Sequence, residues 1–167
     1  MIKYLTDLID KIKIFEVVNN YYFEFGILQE DEYITMDAKV VDIVDDTEVI
    51  VKMPLKEIMY LTENGTLTVP ARPILEKTIY WIKERLSSIL DDIFKNVIEN
   101  DWDEIKIENR LREFSIEVEN YTRNQFILSV QSNSTLSSIL NIEDETKYLY
   151  DLVKLKDYIK CRLRKTI

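Results

Sequence analysis

The chain has 167 residues, 46% of them hydrophobic, enough for one domain with a real core. It carries 31 acidic against 22 basic side chains, and this formal charge of −9 argues against whole-surface attraction to nucleic acid or anionic membrane. With no histidine, one cysteine (Cys161) and two glycines, it excludes internal disulfides, Cys/His zinc sites and Gly-rich phosphate loops, and it fits a reducing cytoplasm.

From Ile2 to Val18, the residues Leu5, Leu8, Ile9, Ile12, Phe15 and Val18 fall three and four apart, which predicts an amphipathic helix. No stretch approaches the ~18 uncharged apolar residues of a membrane span, and the opening residues lack the apolar core of a signal peptide. Tyr21 to Leu28 is aromatic and β-prone, and reads as a strand. Val40–Val44, an Asp45-Asp46 turn and Glu48–Met53 read as a hairpin, which Pro54 ends. Leu55 to Glu63 predicts a short helix with Ile58, Met59 and Leu61 inward, capped by Asn64-Gly65.

Residues 64–73 then form a stiff connection. Pro70 and Pro73 each fix φ near −65° and push the preceding residue toward extended geometry, so Arg72 is held at a defined angle. Pro73 sits where a first helical position belongs, since a helix loses nothing by having proline there. From Leu75 the apolar residues Leu75, Ile79, Ile82, Leu86, Ile89, Ile93 and Val97 define one long helical stripe. A second stripe follows at Ile107, Leu111, Phe114, Val118, Tyr121 and Leu128. Asp101 and Glu104 resemble a capping box at its start, so residues 74–128 should fold back as an αα-hairpin.

Ser129 to Glu145 is polar and reads as a loop. At the end of the chain, Ile159, Cys161 and Leu163 alternate with Lys160, Arg162 and Arg164, the period of a half-buried strand, with helical continuation as the alternative. The expected whole is a single α+β domain. In it a small antiparallel sheet, built from 21–28, 40–53 and the C-terminal strand, packs with an N-terminal helix and the long hairpin. Charge is unevenly distributed: residues 1–72 hold 7 Lys/Arg against 14 Asp/Glu, and residues 146–167 hold 7 against 2.

The segment Gly65-Thr66-Leu67-Thr68-Val69-Pro70-Ala71-Arg72-Pro73-Ile74-Leu75 resembles the Gly-Thr-x(n)-Ile-Pro-Ala-Arg-Pro-Phe-Leu signature of the neck and tail-completion family of tailed bacteriophages. These are virion morphogenesis proteins of the minor tail protein Z-like kind. Phe23-Glu24-Phe25-Gly26-Ile27 resembles the family's Val-x-Val-Gly-Ile strand, and Glu63-Asn64-Gly65-Thr66 resembles its Glu-x-Gly-Thr helix end. Asp151 and Leu155 fall where its Asp-Thr-Gly-x-Leu element belongs. Ile74 replaces the usual aromatic, and Leu152-Val153 replaces Thr-Gly. The resemblance implies a non-enzymatic structural virion protein without cofactor. It would be assembled in the host cytoplasm and located at the neck or tail top. It implies a ring of six copies, with twelve as the alternative, between the head-closure or connector proteins and the tail-terminator or tail-tube proteins. The rival reading is a helical interaction or regulatory protein whose stripes form an intermolecular coiled coil.

Gly65, Pro70, Ala71, Arg72 and Pro73 are therefore candidate subunit contacts. Arg72 would grip a neighbour's carboxylate, or alternatively make an internal salt bridge that sets the direction of the long helix. Trp81 and Trp102, which bracket the helical hairpin, are further contact candidates, with ordinary packing as the alternative. Lys160, Arg162, Arg164 and Lys165 would line a DNA channel without reading sequence, or would instead protect a solvated edge strand. The acidic groups Asp45-Asp46, Asp91-Asp92 and Asp101/Asp103/Glu104 lack the spacing of a calcium loop or nuclease and read as turns and caps. Cys161 reads as a small core residue, because no histidine exists to activate it.

Overall fold

A computed structural model describes residues 13, 14, 16–31, 33–41, 48–65, 70–140 and 152–166. Its elements run β1 (Tyr21–Gly26), a 3-10 turn at Gln29–Asp31, β2 (Thr35–Val41), β3 (Glu48–Pro54), α1 (Leu55–Asn64), α2 (Ile74–Glu99) and α3 (Glu104–Leu140). A single helical turn, α4 (Leu152–Leu155), leads to β4 (Lys160–Lys165). The fold class is α+β, with the long helical hairpin expected. Of the N-terminal helix, Lys13, Ile14 and Glu16 are helical, Val17 and Val18 belong to a 3-10 turn (Val17–Asn20), and residues 2–12 and 15 lie outside the described residues. The single predicted sheet is two: β1 pairs with β4, and β2 with β3. The C-terminal segment is a strand, not a continued helix.

The described residues group into two compact units. One unit takes residues 13–24, 79–119 and 161–166, and the other takes 25–78 and 120–160.

In the first unit, α2 and α3 run antiparallel: Arg85 lies 4.0 Å from Glu117, and Arg110 lies 3.4 Å from Asp92. The sequence stripes meet inside, with Ile89, Ile93, Val97, Ile107, Leu111, Phe114 and Val118 all buried. Each such side chain contributes about 1.5–3 kcal/mol when removed from water. Phe114 is the centre of an aromatic group, edge-on to Phe23 of β1 at 5.5 Å and stacked with Trp81 at 6.0 Å. Thr166 beyond β4 donates its N–H to the carbonyl of Asn20 before β1, which ties the strand pair at its end (2.7 Å).

The turn between the helices uses different caps from those the sequence pattern predicts. Asp101 is the residue that ends α2, in a left-handed conformation (φ 49°), with the Trp102 N–H reaching back to the Asn96 carbonyl at 3.3 Å. The cap of α3 is Asp103, whose carboxylate accepts the Lys106 N–H at 2.9 Å. Asp101 was unavailable as an N-cap because its backbone already closes the preceding helix.

In the second unit, β2 and β3 form an antiparallel hairpin with Thr35 opposite Pro54 and Val41 opposite Glu48. Its first arm starts at Thr35 rather than Val40, and the Asp45-Asp46 turn lies outside the described residues. Met36 and Ala38 are buried with exposed Asp37 between them, the period of a half-buried strand. On α1, Leu55, Ile58, Met59 and Thr62 face inward at helical spacing. Leu55, Ile58 and Met59 join Met36, Ile74, Phe126, Leu155 and Ile159 in one core.

The polar stretch after Leu128 is helix, not loop, as α3 continues to Leu140. Ser, Asn and Thr cost a helix only about 0.5 kcal/mol each relative to alanine. Without Gly or Pro between 74 and 140, nothing in the chain forces either helix to stop early.

Candidate functional site

The Pro70–Pro73 corner, in the second unit, is built by its neighbours' backbone. Gly65 ends α1 at φ 74°, a conformation that favours glycine, and its N–H returns to the Leu61 carbonyl at 2.8 Å. The Arg72 N–H donates to the carbonyl of buried Thr62 (2.7 Å), and the Thr62 hydroxyl donates to the Ile58 carbonyl (2.8 Å). The Ile74 N–H closes a tight turn over Pro73 onto the Arg72 carbonyl at 2.8 Å. Lys77 donates its N–H to the Pro73 carbonyl at 3.2 Å, so Pro73 is the residue capping α2 rather than its first helical residue.

Proline has no side-chain acceptor for the unpaired N–H groups that open a helix. Glu63 supplies it from the previous helix, accepting the Leu75 N–H at 2.7 Å and the Glu76 N–H at 3.4 Å. Burial pushes the Glu63 carboxyl up against the opposing pull of these donors. This role was missing from the sequence reading. The available signal was a helix opening at Pro-Ile-Leu with no Ser, Thr, Asp or Asn before it, which requires an acceptor from elsewhere.

The direction of α2 is therefore set by Glu63 and by main-chain bonds. Arg72 contributes its backbone, and its guanidinium makes no salt bridge among the described residues. The other arginines differ: Arg85, Arg110, Arg112 and Arg164 reach carboxylates, and Arg123 donates to the Ile159 carbonyl. Arg72 is also half-buried. It borders an open cleft of about 440 Å3 formed by Pro70–Ile74 and Lys77 on one side and by Gln125, Leu128 and Ser129 of α3 on the other. Lys77 is likewise without an ion pair among the described residues, and the Leu128 side chain is 53% exposed. The cleft thus combines two available cations, a rigid proline wall and an apolar patch.

The basic strand is electrostatically the opposite. Lys160 lies 2.7 Å from buried Asp31 and 3.5 Å from Glu30. Arg164 meets Glu24 at 3.1 Å, and Lys165 meets Glu104 at 2.7 Å. Arg162 also has a partner. The Asp31 carboxylate holds the Lys160 ammonium above its ordinary pKa, and Glu104 does the same for Lys165. Cys161 is buried on the inner face, and its backbone N–H donates to Glu119 at 3.0 Å. Burial, followed by the nearby Glu119 charge, pushes its thiol up to about 12. Lys160, Arg164 and Lys165 thus neutralise acids of their own chain.

Trp81 stacks on Phe114 within the hairpin and so has a packing role, and Trp102 is half-buried at the turn. Asp92 pairs with Arg110, and Asp101 and Asp103 cap helices. Among the described residues no group of three or more His, Cys, Asp or Glu side chains could hold a metal ion, and no helix is long and apolar enough to cross a membrane. Of the Asp-Thr-Gly-x-Leu match, Asp151 lies outside the described residues, and Leu155 is fully buried in the second unit's core. No protein-family model, curated protein or solved structure matches the chain.

Proposed function

We propose that the chain is a non-enzymatic structural protein of a tailed-bacteriophage virion. It assembles as a ring in the neck or at the tail top, between the connector of the head and the proteins that begin the tail. The observation that carries this reading is the Pro70–Pro73 corner: a rigid segment whose half-buried Arg72 has no salt-bridge partner among the described residues and stands beside an open cleft. An arginine held beside an open cleft with no carboxylate among the described residues can take an anionic group from another molecule through bidentate N–H···O bonds.

Further support comes from the mechanical tasks of the residues shared with the neck and tail-completion family. Gly26 sits at φ 116°, where a side chain is strained. Glu63 caps the next helix, and Gly65 ends the previous one. Contact with passing DNA is at most non-specific, because Lys160, Arg164 and Lys165 already face carboxylates. The rival intermolecular coiled coil is disfavoured because Ile89, Ile93, Val97, Ile107, Leu111 and Val118 are already buried within the chain.

Electron micrographs and native mass spectrometry of the purified protein test the proposal. Closed rings of six or twelve copies are expected. A stable dimer formed through the hairpin would contradict it.

A further inference from the structure

We infer that the cleft beside Arg72 receives the outer face of α2 from a second copy of this chain, with Arg72 and Lys77 of one copy against Glu84 and Asp91 of the next. This rests on the reading of the corner as an assembly contact, and it names what occupies it. The two surfaces are complementary in charge.

On the receiving side, Arg72 and Lys77 are cations without carboxylate partners among the described residues, in a chain of net charge −9. Any approaching copy is therefore acidic overall, and the cleft is a local exception to that charge. An arginine fork takes a carboxylate through two parallel N–H···O bonds, and the lysine adds a second, less directional charge.

On the offered side, α2 exposes Tyr80, Glu84, Ser87 and Asp91 along one face, at spacings of four, three and four. Tyr80 is 60% exposed, with the Lys83 ammonium 5.7 Å from its ring centroid. Glu84 and Asp91 have no ion pair among the described residues, whereas the next acid, Asp92, is bound to Arg110. Seven residues of helix place Glu84 and Asp91 about 10.5 Å apart on one rigid element. Ser87 between them is small enough for a proline wall to approach, and Tyr80 offers an apolar surface for Leu128.

The contact joins two different patches, so each copy has one cleft and one acidic face to offer. Such a contact closes into a ring when the rotation between copies allows it.

The test uses sedimentation velocity over a concentration series, with circular dichroism to verify folding. A cleft variant carries Arg72→Glu and Lys77→Glu, and a face variant carries Glu84→Arg and Asp91→Arg. Each alone is expected to weaken self-association at least about tenfold. Mixed in equal amounts, the native cleft of the face variant meets the native face of the cleft variant, and the reversed cleft meets the reversed face, so the mixture is expected to regain the association that each variant alone has lost. The four changes in one chain should restore association. Should the cleft variant misfold, Arg72→Gln alone provides the same comparison.

Normal association of the cleft variant would overturn the inference while leaving a ring built on another contact. Normal association of the face variant, or a mixture that associates no better than either variant alone, would overturn Glu84 and Asp91 as the occupants. A wild-type chain that stays monomeric at every concentration would overturn both this contact and the self-assembled ring.

Discussion

The basic strand β4 and the Pro70–Pro73 corner invite opposite readings from sequence and structure. The strand concentrates positive charge, with Lys160, Arg162, Arg164 and Lys165 within six residues. The corner has a single arginine. Yet Lys160, Arg164 and Lys165 lie within 3.1 Å of a carboxylate, whereas Arg72 has none among the described residues. What matters for binding is uncompensated charge, and its density along the chain is a poor guide to that. The strand's cations are used within the fold, whereas the corner is the proposed contact.

Several changes would sharpen or break this division. The largest effect is expected in the structural region, where Phe114→Ala removes the ring that Phe23 and Trp81 pack against. Urea denaturation should show a loss of about 3–5 kcal/mol. A loss below about 1 kcal/mol would mean that the first unit lacks the packed centre described.

Gly26→Ala comes next. A Cβ there would lie 4.0 Å from the nearest Leu75 atom, so crowding is absent and the strain comes from φ 116° alone. About 1–3 kcal/mol should be lost. Glu63→Ala should cost about 1 kcal/mol by uncapping α2, and it should weaken assembly as well, because it loosens the wall that holds Arg72. Glu63→Gln, which keeps one acceptor, should recover most of the stability.

Stability should also fall as pH rises above about 9. The Cys161 thiol ordinarily titrates near 9.0 but is pushed up to about 12 by burial, so the folded chain retains a proton that the unfolded chain releases across this window. Lys160 acts in the same direction: its contribution is complete below the ordinary lysine value of 10.5 and is lost as pH rises through its higher folded value. Cys161→Ala should flatten the earlier part of this fall, measured by thermal midpoints from pH 8 to 11.

The smallest effect belongs to the exposed pairs of Arg164 and Lys165. Replacing each with glutamine should cost well under about 1 kcal/mol, less still in high salt, and leave any weak DNA retention unchanged.

The helical architecture was legible because stripes such as Ile89-Ile93-Val97 and Ile107-Leu111-Phe114 repeat at helical spacing and need only each other to be buried. The strand at Cys161 was legible through its alternation. Less legible was anything decided by a distant partner. β1 pairs with β4 across most of the chain, which periodicity cannot reveal, and so two sheets appeared as one. Polar composition after Leu128 suggested a loop, yet weak propensities do not end a helix that has no breaker. At the corner, the prolines showed rigidity and singled out Arg72. That Glu63 would do the capping, and so leave the guanidinium available, depends on contacts across twelve residues.

The division between the two regions is tested most directly by comparing oligomer mass and thermal midpoint for two variants. One carries Arg72→Gln, and the other carries Lys160→Gln, Arg164→Gln and Lys165→Gln. The account predicts that the Arg72 variant keeps its midpoint and loses assembly, while the strand variant assembles normally with a lowered midpoint. An Arg72 variant that assembles like the wild type but melts earlier would contradict it.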